Sequence, residues 1–394
     1  MIGVINKVKI GIISEFSKNT INYGNNLQAY ALNRYLRKIY SEHQIETIYF
    51  KNERKYKITL YIEFAIKVIK KIVSSFRKRR RGKFISKQFL MCRKSAFQEF
   101  VRKNITLCPA PMNWTLLIHS DYDLFIVGSD VVWEQAHFGI NRIKFLDFTN
   151  TKKAKKASYA ASFGRDWIPR NNQKWIRKYL GDFLCVSVRE YSSVQLLNSI
   201  GISNVVHTLD PILLIDADEW SSLESRPEER LDVPYVFVYL LGMDAGQRRH
   251  VERLCRREGL AIVTIPYAGG VENEVDKTFG DVRLMDCSPE EWIWLIHHAE
   301  IIITDSFHGT VFSTIFKKKF LVIRRELDID INNRMDDYLR TISQSDKKVD
   351  LSGLDSLSGK TWDYDAISSL IAGKKKESMK YLDDLIRMAD GKGF

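Results

Sequence analysis

The stretch 301–313 constrains the fold more strongly than any other part of this 394-residue chain. It opens with the β-branched run Ile301–Thr304, which is typical of a buried strand. The run ends in polar residues, and an apolar helical pattern begins after Gly309. A strand that leads directly into a helix is a unit of a parallel α/β sheet, where ligands bind at the carboxyl edge. The first amides of a helix attract anions, so the stretch predicts an anion-binding active site.

The same alternation of strand and helix patterns recurs along the whole chain. A polar stretch with two prolines, residues 221–234, separates a first α/β unit from a second one that starts at Tyr235. A chain of this length exceeds one ordinary hydrophobic core. The sequence therefore predicts two doubly wound domains, over residues 1–225 and 226–394, with a basic helical insertion in the first at about 51–104.

The positive charge of the chain is concentrated in that insertion. Residues 51–104 hold 18 Lys and Arg against 3 Glu, a net charge of +15; the whole chain carries +13, so the remaining residues sum to −2. Residues 60–81 join an apolar helix face to a run of cations, as in helices that lie on anionic membranes. A surface helix with solvated charges is the alternative. Aromatic residues do not alternate with the cations, so no nucleic-acid partner is expected.

Cysteine and hydropathy patterns indicate the compartment. The five cysteines are scattered and never lie in a CxxC spacing, which argues against disulfides or a structural zinc site. We find no signal-peptide pattern and no run of the ~20 apolar residues that a spanning helix needs. These features predict a cytoplasmic protein, at most peripheral at the inner face of the membrane. His297 and His298 are adjacent on a predicted helix and point about 100° apart, so no metal site is expected there.

Several short motifs occur in a fixed order: 22–24 (NYG) with 27–32 (LQAYAL), 125–130 (FIVGSD) with Trp133, 158–164 (SYAASFG), 187–190 (SVRE), 209–211 (LDP) and 304–309 (TDSFHG). Together they resemble the polysaccharide pyruvyl transferase family. The resemblance implies a GT-B-like α/β fold, in which two Rossmann-like domains enclose a cleft. It also implies transfer of a pyruvyl group from phosphoenolpyruvate to a sugar of a cell-surface polysaccharide or its precursor, which forms a pyruvate ketal. The acceptor would be a sugar or a lipid-linked saccharide, and no cofactor is implied.

The resemblance places the donor site at His308 and its flanking residues, together with Arg189. The chemistry needs an acid that protonates the vinyl carbon and a base that takes the sugar hydroxyl proton; His308, Asp130 and Asp305 are the candidates for these proton transfers. Arg189 can clamp an oxyanion with two parallel hydrogen bonds. His308 is either the acid or a phosphate ligand. Structural alternatives are an ion pair for Arg189, a turn for Asp130 and helix caps for Asp305 and His308.

One donor-binding cation is missing from the motif. Some members of the family carry an arginine two positions before the histidine, where this chain has Ser306, so the cation must come from elsewhere, with Arg324, Arg325 and Arg334 as candidates. Asp210 is interpreted as part of a turn that ends a strand. The residues expected to contact substrate, in addition to Arg189, are Asn22, Gly24, Asn25, Ser129, Ser306, Phe307, Gly309, Thr310 and Arg334.

Two other functions are compatible with these patterns. The first is a GT-B glycosyltransferase that uses a nucleotide sugar and would bind a nucleoside diphosphate in a similar cleft. The second is a non-catalytic peripheral-membrane binding protein, which would need only the basic surface of residues 60–81. Binding of phosphoenolpyruvate distinguishes the transferase from both.

Overall fold

The computed structural model describes residues 7–17, 20–50, 57–58, 87–134, 140–151, 154–229, 231–266, 274–325, 332–350 and 360–391. The amphipathic helix expected at 60–81, and the membrane contact expected through it, lie outside these ranges. Among the helices that are described, none is both long enough and apolar enough to cross a membrane.

The first domain is built on a parallel sheet with helices on both faces. Its elements are β1 (Lys9–Ile13), α1 (Tyr23–Ile39), β2 (Gln44–Thr47), α2 (Lys87–Asn104), α3 (Trp114–Ile118), β3 (Leu124–Val127), β4 (Lys155–Ser158), α4 (Arg170–Leu180), β5 (Val186–Val188), α5 (Tyr191–Ser199), β6 (Val205–His207) and α6 (Ala217–Ser221). The strand order is β2-β1-β3-β4. Isolated parallel bridges add β5 on one side, with β6 paired parallel to β5, and add Leu107 and Met112 on the other side. A two-residue antiparallel ladder joins Lys57–Ile58 to Ile140–Asn141.

The second domain repeats this plan. Its elements are β7 (Tyr235–Tyr239), α7 (Ala245–Arg257), β8 (Ala261–Thr264), β9 (Val282–Arg283), α8 (Pro289–His298), β10 (Ile301–Thr304), α9 (Phe307–Ile315), β11 (Lys319–Ile323), α10 (Asn333–Thr341), β12 (Lys348–Val349) and α11 (Tyr364–Ala389). All six strands are parallel, in the order β9-β8-β7-β10-β11-β12. This is the 3-2-1-4-5-6 order of a doubly wound sheet, and it confirms the expected Rossmann-like architecture.

The central strands are buried along their whole length because helices cover both faces of each sheet. All four residues of β10 are buried, as are all four of β3 and all five of β7. The run of isoleucines in β10 is thus the sequence signature of a strand with no exposed face.

An aromatic cluster joins the two domains beneath the cleft. Tyr23, in the first turn of α1, stacks on Trp292 of α8 with ring centroids 5.4 Å apart. Its hydroxyl donates a hydrogen bond of 2.8 Å to the carbonyl of Cys287. Tyr239 packs edge-on against the same two rings. The opening of α1 is therefore held by the second domain, and the loop before it is fixed at the domain boundary.

The last helix, α11, connects the two domains. Near its start, Trp362 packs on Phe320 of the second domain. Further along, Ser378 accepts a hydrogen bond from the amide of Leu209, and the Tyr381 hydroxyl donates one to the carbonyl of Ser158, both in the first domain. The pattern of α11 predicts a helix, but its partners are distant in sequence. A domain assignment of 226–394 drawn from sequence therefore does not reveal that this helix returns to the first domain.

Candidate active site

Predicted residues from both domains meet at the carboxyl edges of the two sheets. Asp130, Arg189 and Asp210 follow strands of the first sheet, and His308 follows β10 of the second. His308 Nε2 lies 3.7 Å from Asp210 Oδ2, and Arg334 Nη1, from α10, lies 3.6 Å from Asp130 Oδ1. The structure thus brings the two halves of the predicted site together across the cleft.

Asp210 is the residue on which the other groups converge. Its Oδ2 accepts hydrogen bonds from Ser129 Oγ at 3.1 Å and from Arg189 Nη1 at 2.9 Å, with His308 beyond hydrogen-bond distance. Its Oδ1 accepts from the amide of Ile212 and caps a short 3-10 helix. Burial alone would raise the pKa of Asp210, but His308 and Arg189 outweigh it and hold this pKa below its usual range. The sequence indicated a turn here; Asp210 makes that turn and also anchors the site.

Arg189 is buried and held in a fixed orientation. Its Nε donates to Glu190 Oε1 at 2.9 Å and its Nη1 lies 3.6 Å from Asp130 Oδ1, in addition to the bond to Asp210. The guanidinium lies 4.2 Å from the centre of the Phe307 ring. Burial opposes the charge, but the three carboxylates raise the pKa of Arg189 above its ordinary value. Nη2 is buried and has no hydrogen-bond partner in the described structure, so it can donate to a ligand.

His308 lies in the first turn of α9. The sequence predicted that this helix begins after Gly309, but it begins at Phe307 because Ser306 is its N-cap and accepts the Gly309 amide at 3.4 Å. The imidazole Nε2 is buried and, among the described atoms, has no hydrogen-bond partner. The other edge of the ring is pressed against Gly24: a Cβ there would lie 1.9 Å from His308 Nδ1. Glycine at position 24 is therefore what leaves room for this ring.

Three of the predicted contact residues serve the helix itself. Ser306 Oγ is occupied by the Gly309 amide, and Thr310 Oγ1 donates to the Ser306 carbonyl at 3.2 Å. The first turn of α9 thus uses both hydroxyls internally, and a contact of these residues with substrate stays a prediction. Phe307 instead supports the site, since its ring packs edge-on against His308 and lies under Arg189.

The loop at the start of α1 positions Asp130. Asn25 Nδ2 donates to Asp130 Oδ2 at 3.0 Å and to the Glu15 carbonyl at 2.8 Å. Asn22 is the N-cap of α1 and accepts the Asn25 amide at 3.2 Å. Asp130 has φ of 67°, the left-handed region that non-glycine residues seldom adopt. Asn22 and Asn25 therefore hold the loop, and Asp130 Oδ1, which accepts no hydrogen bond in the described structure, faces the two arginines.

Asp305 is engaged on both carboxylate oxygens. Oδ1 accepts the Leu241 amide at 2.8 Å and Oδ2 accepts the Gly242 amide at 2.7 Å. Arg325 donates to both oxygens at 3.2 Å. Asp305 thus holds Arg325 and the loop after β7, and its role as a catalytic base stays a prediction.

Two of the three arginines proposed to supply the missing cation lie at the site. Arg325 and Arg334 both line a small cavity beside Phe307, and Arg334 also lines a second cavity with Arg189 and Asp210. Arg324 is exposed. Burial and the neighbouring Arg189 lower the pKa of Arg334 to about 10, against the opposing effect of Asp130. The cavity walls thus carry guanidinium groups whose mutual repulsion a bound anion would relieve.

A histidine and glutamate cluster lies away from the cleft. Glu224 contacts both His297 and His298. These three residues are the one group of potential metal ligands found within the part of the chain that the structure describes. The sequence pattern shows His297 and His298 only as two adjacent helix residues that point about 100° apart. The structure adds a carboxylate from another segment, since both rings are within hydrogen-bond distance of Glu224.

The comparisons with known proteins agree with this architecture. The sequence model of the family described as Polysaccharide pyruvyl transferase matches residues 22–326, most of the chain. The fold is similar to a UDP-N-acetylglucosamine 2-epimerase (12% identity, TM-score 0.50, covering 97% of this chain and 96% of that one). Similar structures also include the UDP-GlcNAc 2-epimerase of Neisseria meningitidis (10% identity, TM-score 0.46, covering 95% of this chain and 99% of that one). Another is a glycotransferase of kitacinnamycin (10% identity, TM-score 0.48, covering 98% of this chain and 99% of that one). The likeness at a TM-score of 0.50 shows the GT-B-type fold alone. A comparison with curated proteins found no match.

Proposed function

This chain belongs to the polysaccharide pyruvyl transferase family, and on that premise we propose that it transfers a pyruvyl group from phosphoenolpyruvate to a sugar of a cell-surface polysaccharide or its precursor. The observation that carries the proposal is a pair of buried donors without partners, Arg189 Nη2 and His308 Nε2, which come from opposite domains and flank Asp210. Such groups are costly to bury unless a ligand completes their hydrogen bonds.

The donor molecule has two anionic groups, a carboxylate and a phosphate, and the cleft offers three guanidinium groups. Arg189 has a free Nη2, and Arg325 and Arg334 line the neighbouring cavity. Guanidinium groups bind both anions with paired hydrogen bonds, which fixes the plane of the bound donor. The lowered pKa of Arg334 supports this assignment, because an anion in the cavity would stabilise a charge that burial and Arg189 disfavour. In this proposal, these guanidinium groups supply the cation that Ser306 does not.

In the first step, a sugar hydroxyl oxygen bonds to C2 of phosphoenolpyruvate, and the C2–C3 π electrons take a proton at C3, which becomes a methyl group. His308 is the proposed proton source, and Asp130 the proposed acceptor of the hydroxyl proton. In the second step, a neighbouring hydroxyl of the sugar displaces phosphate from C2 and closes the cyclic ketal; its proton passes to His308, and Asp130 gives its proton to the departing phosphate. The products are the ketal and inorganic phosphate. Each proton transfer of this kind contributes about 10²–10⁴-fold in rate.

Calorimetry with phosphoenolpyruvate and with several nucleoside diphosphates tests the donor. We expect saturable heat from phosphoenolpyruvate and none from the nucleotides; the reverse result would identify a nucleotide-sugar glycosyltransferase instead. Phosphate release is then measured with phosphoenolpyruvate and a panel of capsule-type sugar acceptors. His308→Ala and Arg189→Ala should abolish release, and the exposed His119→Ala serves as the matched control. Full activity in both site variants would refute the assignment.

A further inference from the structure

The cluster of Glu224, His297 and His298 has no part in the proposed reaction. The two histidines lie in the last turn of α8, which leads into the amino end of β10, whereas His308 follows the carboxyl end of that strand. The cluster is therefore at the opposite edge of the second sheet from the cleft. We propose that these three side chains bind a divalent cation, and that zinc is the ion their donor atoms fit best.

The donor atoms already lie near the spacing that a zinc ion requires. His297 Nδ1 is 2.9 Å from Glu224 Oε2 and His298 Nε2 is 3.2 Å from Oε1, and the ligand atoms all lie within 4.8 Å of one another. In a tetrahedral site with bonds of about 2.0–2.1 Å, neighbouring ligand atoms are roughly 3.3 Å apart. The two close contacts would open by a few tenths of an ångström around an ion, and the widest separation, at most 4.8 Å, would close by up to about 1.5 Å.

Adjacent helix residues converge here because they use different ring nitrogens. His297 presents Nδ1 and His298 presents Nε2, and their ring centres are 4.9 Å apart at an interplanar angle of 52°. The difference in reach between the two nitrogens compensates for the 100° between the side-chain directions. A set of two imidazoles and one carboxylate, with a fourth position for water, is a typical zinc ligand set.

The neighbours hold the ligands in place and leave them accessible. The His297 ring stacks on Phe316 at 4.3 Å and the His298 ring stacks on Trp294 at 4.4 Å. The side chains of His297 and His298 remain 35% and 42% exposed, so an ion can enter from solvent. The carboxylate is positioned by its own segment, since the next amide, that of Ser225, donates to a carbonyl of α8 at 3.2 Å. Ligands fixed in this way lose little side-chain freedom when a metal binds.

A metal ion at this site would hold the segment that connects the two domains against the second domain. Glu224 lies in the segment that leaves α6 and leads into β7, and α8 belongs to the second domain. The ion would therefore link the interdomain segment to a helix of the second domain without touching the substrate. Its role would be structural, and it would not take part in the reaction.

Zinc calorimetry tests the proposal on the full-length chain, freed of any affinity tag and of metal by EDTA. We expect one zinc ion per chain. Glu224→Gln and His298→Gln should each weaken binding by at least the roughly 10–100-fold that loss of an outer-sphere partner alone produces. The double variant His297→Gln/His298→Gln should not bind, and the exposed His119→Gln should bind as the native chain does. Circular dichroism of the metal-free variants checks that they keep the fold.

A second measurement does not depend on any variant. Diethylpyrocarbonate modifies accessible imidazoles, and mass spectrometry of the native chain shows which ones react. Zinc should protect His297 and His298 and leave His119 reactive. Absence of saturable zinc binding, unchanged affinity in the Gln variants, or equal modification with and without zinc would each overturn the proposal and leave a hydrogen-bonded cluster only.

Discussion

Gly24→Ala should inactivate the protein while leaving it folded. An alanine Cβ at this position would lie 1.9 Å from Nδ1, 2.4 Å from Cε1 and 2.6 Å from Cγ of His308. Ordinary contact begins at 3.4 Å, so the ring must move by about 1.5 Å (3.4 less 1.9) to accommodate one methyl group. The backbone itself does not require glycine, because Gly24 is not among the glycines with positive φ.

The size of the effect follows from that displacement. A misplacement of about 1 Å in a reacting group costs on the order of 100-fold in rate, so kcat for phosphate release should fall by at least that factor. Alanine is a better helix former than glycine by up to about 1 kcal/mol, which offsets part of the strain in the folded state. The thermal midpoint should therefore change little compared with the loss of activity.

Two comparisons isolate the cause. Gly373→Ala makes the same change inside α11, where a Cβ meets nothing within 4 Å, and it should leave activity unchanged. In a His308→Ala background the ring is gone, and Gly24→Ala should then produce no further loss; such non-additivity is expected of two residues in contact. Native activity in Gly24→Ala, or an equal loss in both backgrounds, would refute the role assigned to this contact.

Three further predictions concern other parts of the chain. Asp210→Asn should destabilise the protein at pH 7 by about 3 kcal/mol in urea unfolding, because it removes one of the three carboxylates that compensate the buried charge of Arg189. The lowered pKa of Asp210 means that its contribution is complete above the usual carboxyl pKa of about 3.9 and is lost as the pH falls through the folded-state value, so the difference from the native chain should shrink in acid. Asp305→Ala should weaken phosphoenolpyruvate binding in calorimetry about tenfold or more, because Arg325 loses the carboxylate that orients it and two amides lose their acceptor. Neutralising the cations of residues 77–81 should reduce sedimentation with anionic liposomes; unchanged binding would contradict a membrane contact through the basic segment.

The sequence predicts those parts of the site whose signals are local. The run Ile301–Thr304 indicates a buried strand because burial on both faces removes any alternation of polar residues. Asp210 was recognised only as a turn because its partners Ser129, Arg189 and His308 lie 81, 21 and 98 positions away. The apolar pattern predicts that α9 starts after Gly309, whereas Ser306, three positions earlier, is the N-cap.

Contacts between remote segments account for the other differences. Glu224 lies 73 positions from His297, so no spacing rule relates them. Asp305 is a plausible base by its place after a strand, but the amides that occupy it come from the loop after β7, 63 and 64 positions earlier. Local pattern can place a side chain at a sheet edge; it cannot show which of its atoms are already bonded.

The return of α11 to the first domain determines how the cleft can open. The chain crosses between the domains twice, once after α6 and once through α11, whose 26 residues form a rod of about 39 Å at 1.5 Å per residue. Two domains that are connected at two separated points can rotate relative to each other mainly about the line through those points. We expect any opening of the cleft to be a rotation about that line. Such a rotation would bring His308 back beside Asp210 at each closure, with the two halves of the site in register.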